Sequence, residues 1–158
     1  MTIDELDARL IEVLRQNPRV GLLEVARQLQ VARGTVQARL AKLEAGGVIT
    51  GHGPEVDPSA LGYTITAFVF IELAQGRLAE AVAVMNAMPE VLEADAISGP
   101  QDVICRLVAR DTEHLQELVN ELLRTPAIRR CTSYIALSRQ VPPRTGPLVG
   151  AAAGRPRA

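Results

Sequence analysis

The sequence predicts an α+β chain built of two unlike modules, on three observations. The first fifty residues carry three helical apolar stripes, and only three residues separate the second from the third. Residues 63–139 run strand, helix, strand, strand, helix, strand. Charge divides along the same boundary: residues 1–50 hold seven Lys/Arg against six acids, residues 51–138 six against twelve, and residues 139–158 four arginines and no acid. A winged helix-turn-helix followed by a ferredoxin-like βαββαβ domain satisfies all three.

Thr2-Ile3-Asp4-Glu5 fits a capping box, the Thr2 hydroxyl accepting from the Glu5 amide. Leu6, Leu10, Val13 and Leu14 then form the stripe of an amphipathic helix that Asn17-Pro18 stops. A second short helix follows Gly21, with Leu22, Val25, Ala26 and Leu29 on one face. A third begins near Arg33, buries Val36, Leu40 and Leu43, and ends at Gly46-Gly47. The link Gln30-Val31-Ala32 has the length of a helix-turn-helix connection. Val48-Ile49-Thr50-Gly51-His52 supplies a short wing strand, which closes a first domain over residues 1–52.

The outward face of the third helix is the informative part. Arg33, Thr35, Gln37, Arg39 and Lys42 point away from the apolar stripe. Arginine forks, an amide, a hydroxyl and cations are the groups that read base edges and grip phosphates, and Arg27 on the second helix joins them. A solvated helix face would carry similar residues; the three-helix context with its short turn favours DNA. One copy is too small a footprint, so a dimer should supply the second half-site of a double-stranded operator.

Residues 53–62 are rich in breakers and read as a linker; His52 before them either touches a DNA backbone or sits as a surface histidine. The second domain spans residues 63–140, with strands at 63–73, 91–97, 103–109 and 128–138 and helices at 78–88 and 112–124. Asp111 caps the second of these helices. Strand parity says more. Ile65, Ala67, Val69, Ile71 and Leu73 share one face of the first strand, and Phe68 and Phe70 lie on the other. In the last strand Ile135 and Leu137 oppose Tyr134 and Ala136. Two helices cover one face of a four-stranded sheet, so the second apolar face needs another cover, most simply that of a second copy. Residues 141–158 lack any period and read as a disordered basic tail, its arginines either solvated or touching an acidic surface.

Hydrophobic residues at 47 % and charged residues at 22 % describe a folded globular chain. No apolar run reaches the ~18 residues of a membrane helix, and the acidic start lacks a signal core, so a cytoplasmic location is expected. Cys105 and Cys131 make neither a disulfide framework nor a zinc site, and Cys105 alternates with Val103 and Leu107 as a core thiol. His52 and His114 have no partner pattern, and His114 is expected on the exposed side of its helix. No nucleophile motif, phosphate loop or dinucleotide fingerprint occurs, so no enzyme, cofactor or metal is expected.

Several segments in order resemble the leucine-responsive regulator (Lrp/AsnC, or feast/famine) family of transcription factors. They are residues 6–14 and 19–26, the run Val36-Gln37-Ala38-Arg39-Leu40-Ala41-Lys42-Leu43-Glu44-Ala45-Gly46-Gly47-Val48-Ile49, Asp57-Pro58 with Gly62, Ser98-Gly99-Pro100-Gln101-Asp102, and Thr132-Ser133-Tyr134. The resemblance covers residues 3–140 and implies a C-terminal module that binds a small amino acid and forms dimers, with further association to tetramers or octamers. By position it assigns the effector to Ser98, Gly99, Pro100, Gln101 and Asp102 together with Tyr134, Ile135 and Ala136. Asp102 could take an ammonium and the amides around Gly99 a carboxylate; alternatively Gly99 only makes the turn and Asp102 caps it. The chain departs from the family at Gly21 and Ala32, where cap serines are usual, at Arg33, where proline is frequent, and at Pro100 and Gln101. Siroheme decarboxylases resemble the same architecture, so a tetrapyrrole decarboxylase is one alternative, although their histidine and basic cluster is missing here. An effector-independent DNA-compacting protein is another.

Overall fold

In a computed structural model, residues 3–51 and 53–154 are described. The elements are α1 (Glu5–Gln16), α2 (Leu22–Leu29), α3 (Arg33–Ala45), a 3-10 turn (Pro58–Leu61), β1 (Ile65–Leu73), α4 (Leu78–Ala87), β2 (Val91–Ala96), β3 (Val103–Ala109), α5 (Thr112–Leu122), β4 (Ile128–Ile135) and α6 (Gly146–Ala153). They divide into two compact units. One holds the residues up to Pro54 together with those from Val141 onward; the other runs from Glu55 to Gln140.

In the first unit Leu10, Ile11, Val25, Ala26, Leu29, Val36 and Leu43 form one buried cluster. The capping box at the start of α1 is shifted from the expected position. Thr2 lies outside the described residues, and the cap is Asp4: its carboxylate accepts from the Asp7 amide at 2.8 Å, and the Asp7 carboxylate accepts from the Asp4 amide at 3.1 Å. That box does a second job. Arg39 Nη1, from α3, donates to Asp4 Oδ2 at 2.6 Å and to Asp7 Oδ1 at 2.7 Å. Asp7 is 1 % exposed, so its carboxylate depends on this guanidinium for compensation. The hydrogen bond from Arg39 also holds the Asp4 carboxyl below the usual carboxylate range.

The end of α3 explains why the expected wing is missing. The Val48 amide donates to Leu43 O at 2.9 Å and the Gly47 amide to Glu44 O at 3.0 Å, with Gly47 at φ 69°. This is a Schellman closure, and its left-handed position is what Gly47 supplies. The Ile49 amide turns back to Leu43 O as well. These donors close the helix instead of pairing along a strand, and among the described residues of 46–54 no strand forms. His52 lies outside the described residues. Among the described residues the fold here is a helix-turn-helix without a β-wing.

The C-terminal segment also corrects the expectation of disorder. Residues 146–153 form α6, and Val149, Ala152 and Ala153 pack onto the apolar cluster of the first unit. The Cβ-free Gly146 sits against the Arg15 guanidinium, which a side chain at this position would push aside. Small residues give α6 a smooth face, and that face rather than periodicity lets the helix dock. Arg155 and Arg157 of the tail lie outside the described residues.

The second unit is a four-stranded antiparallel sheet of order β2-β3-β1-β4, with α4 and α5 on one face. Ala67, Val69, Ile71, Val103, Cys105 and Leu107 meet Ala81, Met85, Leu115, Leu118 and Leu122 in its core. Register puts Phe68 beside Tyr134 and Phe70 beside Thr132 on the opposite face, where Phe68 is 37 % and Tyr134 59 % exposed. β4 is shorter than expected. Its ladder ends where β1 begins, with the Ala136 amide donating to Thr66 O, so Leu137 stands free. His114 is a further correction, since it is buried rather than solvated. Its Nδ1 accepts from the Arg110 amide at 3.2 Å and Tyr63 lies against its ring, because the Asp111 cap turns the start of α5 inward.

Replacing Arg39 by Met should destabilise the first unit by about 2–4 kcal/mol, chiefly by stranding the buried Asp7 charge; the half-exposed Asp4 contributes less. Folding lowers the Asp4 pKa, so its share is complete above the ordinary carboxylate range and fades as pH falls through it. Denaturant titrations between pH 7 and 3 should show a smaller acid loss for Arg39→Met than for the parent chain.

Candidate functional site

The exposed side of α3 is organised by helical geometry. At about 100° per residue, Val36 and Leu43 mark the buried side. Gly34, Ala38 and Ala41 fall opposite, and all three are exposed. Arg33 and Gln37 flank this strip on one side, Thr35 and Lys42 on the other, and all four are exposed. The middle of the outward face is therefore small, which lets a helix backbone come close to a surface while longer side chains reach out at its edges. Sequence reasoning passed over Gly34, Ala38 and Ala41 because they carry no reactive group; their spacing was the available signal.

Arg39 does not belong with this set. Its guanidinium is committed to Asp4 and Asp7, and it is 28 % exposed. The expected base-reading side chain instead ties α3 to α1. Arg27 is paired too, through two hydrogen bonds at 2.8 and 2.7 Å to Glu24, whose carboxyl is held down at about 2 by this arginine. The pair is solvent-exposed, so an incoming anion can exchange for Glu24 at little cost. Arg27 and Arg33 also border a surface hollow of about 750 Å³ with Gly21, Leu23 and Val31, where α2 meets the start of α3.

In the second unit the loop 97–102 is fixed by its own backbone. The Ile97 amide donates to Asp102 O at 2.9 Å and the Asp102 amide to Ile71 O at 3.0 Å. One carboxylate oxygen of Asp102 accepts from the Leu73 amide at 2.7 Å, where the β1–β4 ladder shifts register. Asp102 thus closes the end of β1, and its second oxygen makes no hydrogen bond among the described residues. Gly99 has φ 144°, a turn conformation that side chains avoid.

A hollow of about 330 Å³ lies nearby, lined by Phe70, Gln101, Thr132 and Tyr134. It brings Gln101 of the loop together with Tyr134 of β4, one residue from each segment expected to hold the effector. Ser98, Gly99, Pro100, Asp102, Ile135 and Ala136 do not line it. Phe70 and Thr132 were missed as site residues; their place follows from the β1–β4 register, which periodicity alone does not supply. The Phe70 and Tyr134 rings meet edge-on at 5.6 Å and 88°.

The thiols offer no nucleophile. Burial pushes Cys105 and Cys131 up to about 11. Among the described residues no group of His, Cys, Asp and Glu could hold a metal ion, and no helix is long and apolar enough to cross a membrane.

Comparison with known proteins agrees with this division. The AsnC-type helix-turn-helix domain matches residues 3–44, and the Lrp/AsnC ligand binding domain matches residues 66–145. The regulatory protein AsnC of Escherichia coli K12 is 30 % identical over 141 residues, covering 88 % of this chain and 93 % of that protein. The transcriptional regulator FL11 of Pyrococcus horikoshii is 26 % identical over 135 residues, covering 85 % and 89 %. The structure of E. coli AsnC superposes with a TM-score of 0.86 at 29 % identity, covering 93 % of this chain and all of that one. A feast or famine regulatory protein from Mycobacterium tuberculosis complexed with L-methionine superposes with a TM-score of 0.80 at 26 % identity, covering 90 % and 97 %. With both of its units matched in order, the chain belongs to the Lrp/AsnC family, as a transcriptional regulator that joins a DNA-binding helix-turn-helix to a ligand-binding module.

Proposed function

We propose that this regulator binds its operator as a homodimer or a higher assembly of dimers, and that a small amino acid changes either the assembly or the DNA geometry. The observation that carries this reading is the pairing of two features in one chain. A helix presents a small central strip flanked by Arg33, Gln37, Thr35 and Lys42, and a sheet keeps an aromatic face without cover. In this reading Arg33, Thr35 and Gln37 meet base edges in the major groove, while Lys42 and Arg27 meet phosphates. Arg39 is a positioning residue that sets the tilt of α3 against α1. The relative from M. tuberculosis holds L-methionine, which supports an amino-acid effector for this chain too, near the loop 98–102 and Tyr134, Ile135 and Ala136. An enzyme reading has no comparable support, because the curated relatives are named as transcriptional regulators. The site of action is the DNA-containing compartment, here the cytoplasm.

The open sheet face supports the dimer. Phe68, Phe70 and Tyr134 leave a contiguous aromatic surface that water solvates poorly, and a second copy of the same face buries it symmetrically.

Two measurements test this reading. Gln37→Ala should lose operator discrimination by about 1–3 kcal/mol while binding to random DNA stays level, whereas Lys42→Ala should weaken both alike and lower the salt slope by about one. Unchanged operator affinity in Gln37→Ala and Thr35→Ala together would remove α3 from the groove. Phe70→Asp places an unpaired charge in the open face, and sedimentation of the full chain at micromolar concentration should show it shifted to monomer. A Phe70→Asp chain that stays dimeric would locate the dimer elsewhere.

A further inference from the structure

We propose that the C-terminal segment is a second DNA-contacting element, in which α6 holds Arg144, Arg155 and Arg157 on the DNA-binding unit so that they meet phosphates of the duplex. The proposal adds a contact to the DNA-binding function and does not depend on which side chains of α3 enter the groove. Residues 141–158 carry three arginines and no acid. They belong to the first unit and not to the second, which bears seven cations against twelve acids. Val149, Ala152 and Ala153 of α6 pack on the cluster that also holds Val36 and Leu43 of α3. The Gly154 amide closes α6 on Gly150 O, and Arg155 is the next residue of the chain. The cations of the segment are thereby tied to the unit that carries α3.

Charge gives them their use there. Residues 1–54 hold seven cations against six acids, a net of only +1. Three of those cations are already engaged: Arg15 with Glu12, Arg27 with Glu24, and Arg39 with Asp4 and Asp7. Sequence-independent affinity for a duplex comes from cations that displace its counterions, and a unit at +1 supplies few. The C-terminal segment raises the same unit to +4. Its surface also suits a phosphate backbone. Pro147, Leu148, Gly150 and Ala151 are exposed, so the outward side of α6 brings no carboxylate against the DNA. Arg144 stands exposed just before the helix. The eight residues of α6 span about 12 Å, and a duplex rising about 3.4 Å per base pair offers about three or four phosphates of one strand over that length. Arg144 at one end of α6 and Arg155 beyond the other therefore match a single stretch of backbone. The acidic second unit is the competing partner for these arginines, and the experiment separates the two.

Binding of the full chain to a random-sequence duplex, followed from about 50 to 200 mM salt, tests the proposal. With Arg144, Arg155 and Arg157 all replaced by Gln, the slope of log affinity against log salt should fall by about 0.9 for each arginine engaged, and affinity at the low-salt end should drop about tenfold or more. Replacing the same three by Lys should keep the parent slope, because the charge is retained. None of the three is among the α6 residues packed on the apolar cluster, so the melting temperature should stay that of the parent chain. The Gln replacements and Lys42→Ala should lower the slope additively, as separate phosphate contacts do. An unchanged slope in the Gln chain overturns the proposal. A Lys chain as weak as the Gln chain also overturns it, since the arginines would then act through something other than charge on phosphates. An unchanged slope with a lowered melting temperature overturns it too, and gives the arginines to the acidic second unit instead. Failure of the parent chain to bind any duplex defeats the DNA-binding function itself, not this contact alone.

Discussion

Arg39 holding Asp4 and Asp7 is the constraint from which the DNA-binding unit takes its shape. A three-helix unit of this length has a small core, and its apolar residues leave the tilt of α3 loosely determined. One guanidinium fixes that tilt by meeting two carboxylates that already cap α1. Because Asp7 is fully buried, separating α3 from α1 would strand a charge, so the pair opposes sliding more strongly than its net contribution to stability suggests. α6 adds to the same α1-centred cluster through Val149, Ala152 and Ala153. The chain thus returns to its first unit after completing its second, and the ligand-binding module is inserted within the DNA-binding one. The connection after β4 leaves from the very residues, Tyr134 to Ala136, that the effector reading uses.

The second unit rests on an asymmetry. One sheet face is filled by helices, and the residues there are small or branched: Ala67, Val69, Ile71, Cys105 and Leu107. The other face alternates with it and carries rings, Phe68, Phe70 and Tyr134, too large to leave bare without consequence. The same alternation therefore builds a core and an association surface. The hollow at Gln101 sits at the end of this face, where a loop from the β2–β3 side reaches β1 and β4.

Asp102 and Gly99 serve the backbone: one closes the end of β1, and the other takes a conformation side chains avoid. Gln101, between them, borders the hollow with Phe70, Thr132 and Tyr134.

By itself the sequence determined the two modules, every helix of the first fifty residues and the βαββαβ order, because each rests on local periodicity and on breakers such as Pro18, Gly47 and Pro126. It also determined which face of β1 is core, since alternation is a property of the strand alone. Tertiary structure decided the rest. Whether Arg39 reads DNA or binds Asp4 and Asp7 depends on a partner 32 to 35 residues away. The 48–52 segment had the composition of a strand, but the Val48 and Ile49 amides were claimed by the end of α3. His114 looked exposed on its helix until the Asp111 cap and Tyr63 enclosed it. The tail looked shapeless because a run of small residues has no amphipathic signature, and only the apolar surface of α1 gives it something to fold against. Phe70 and Thr132 became neighbours of Gln101 through strand register, which long-range pairing sets and local pattern does not.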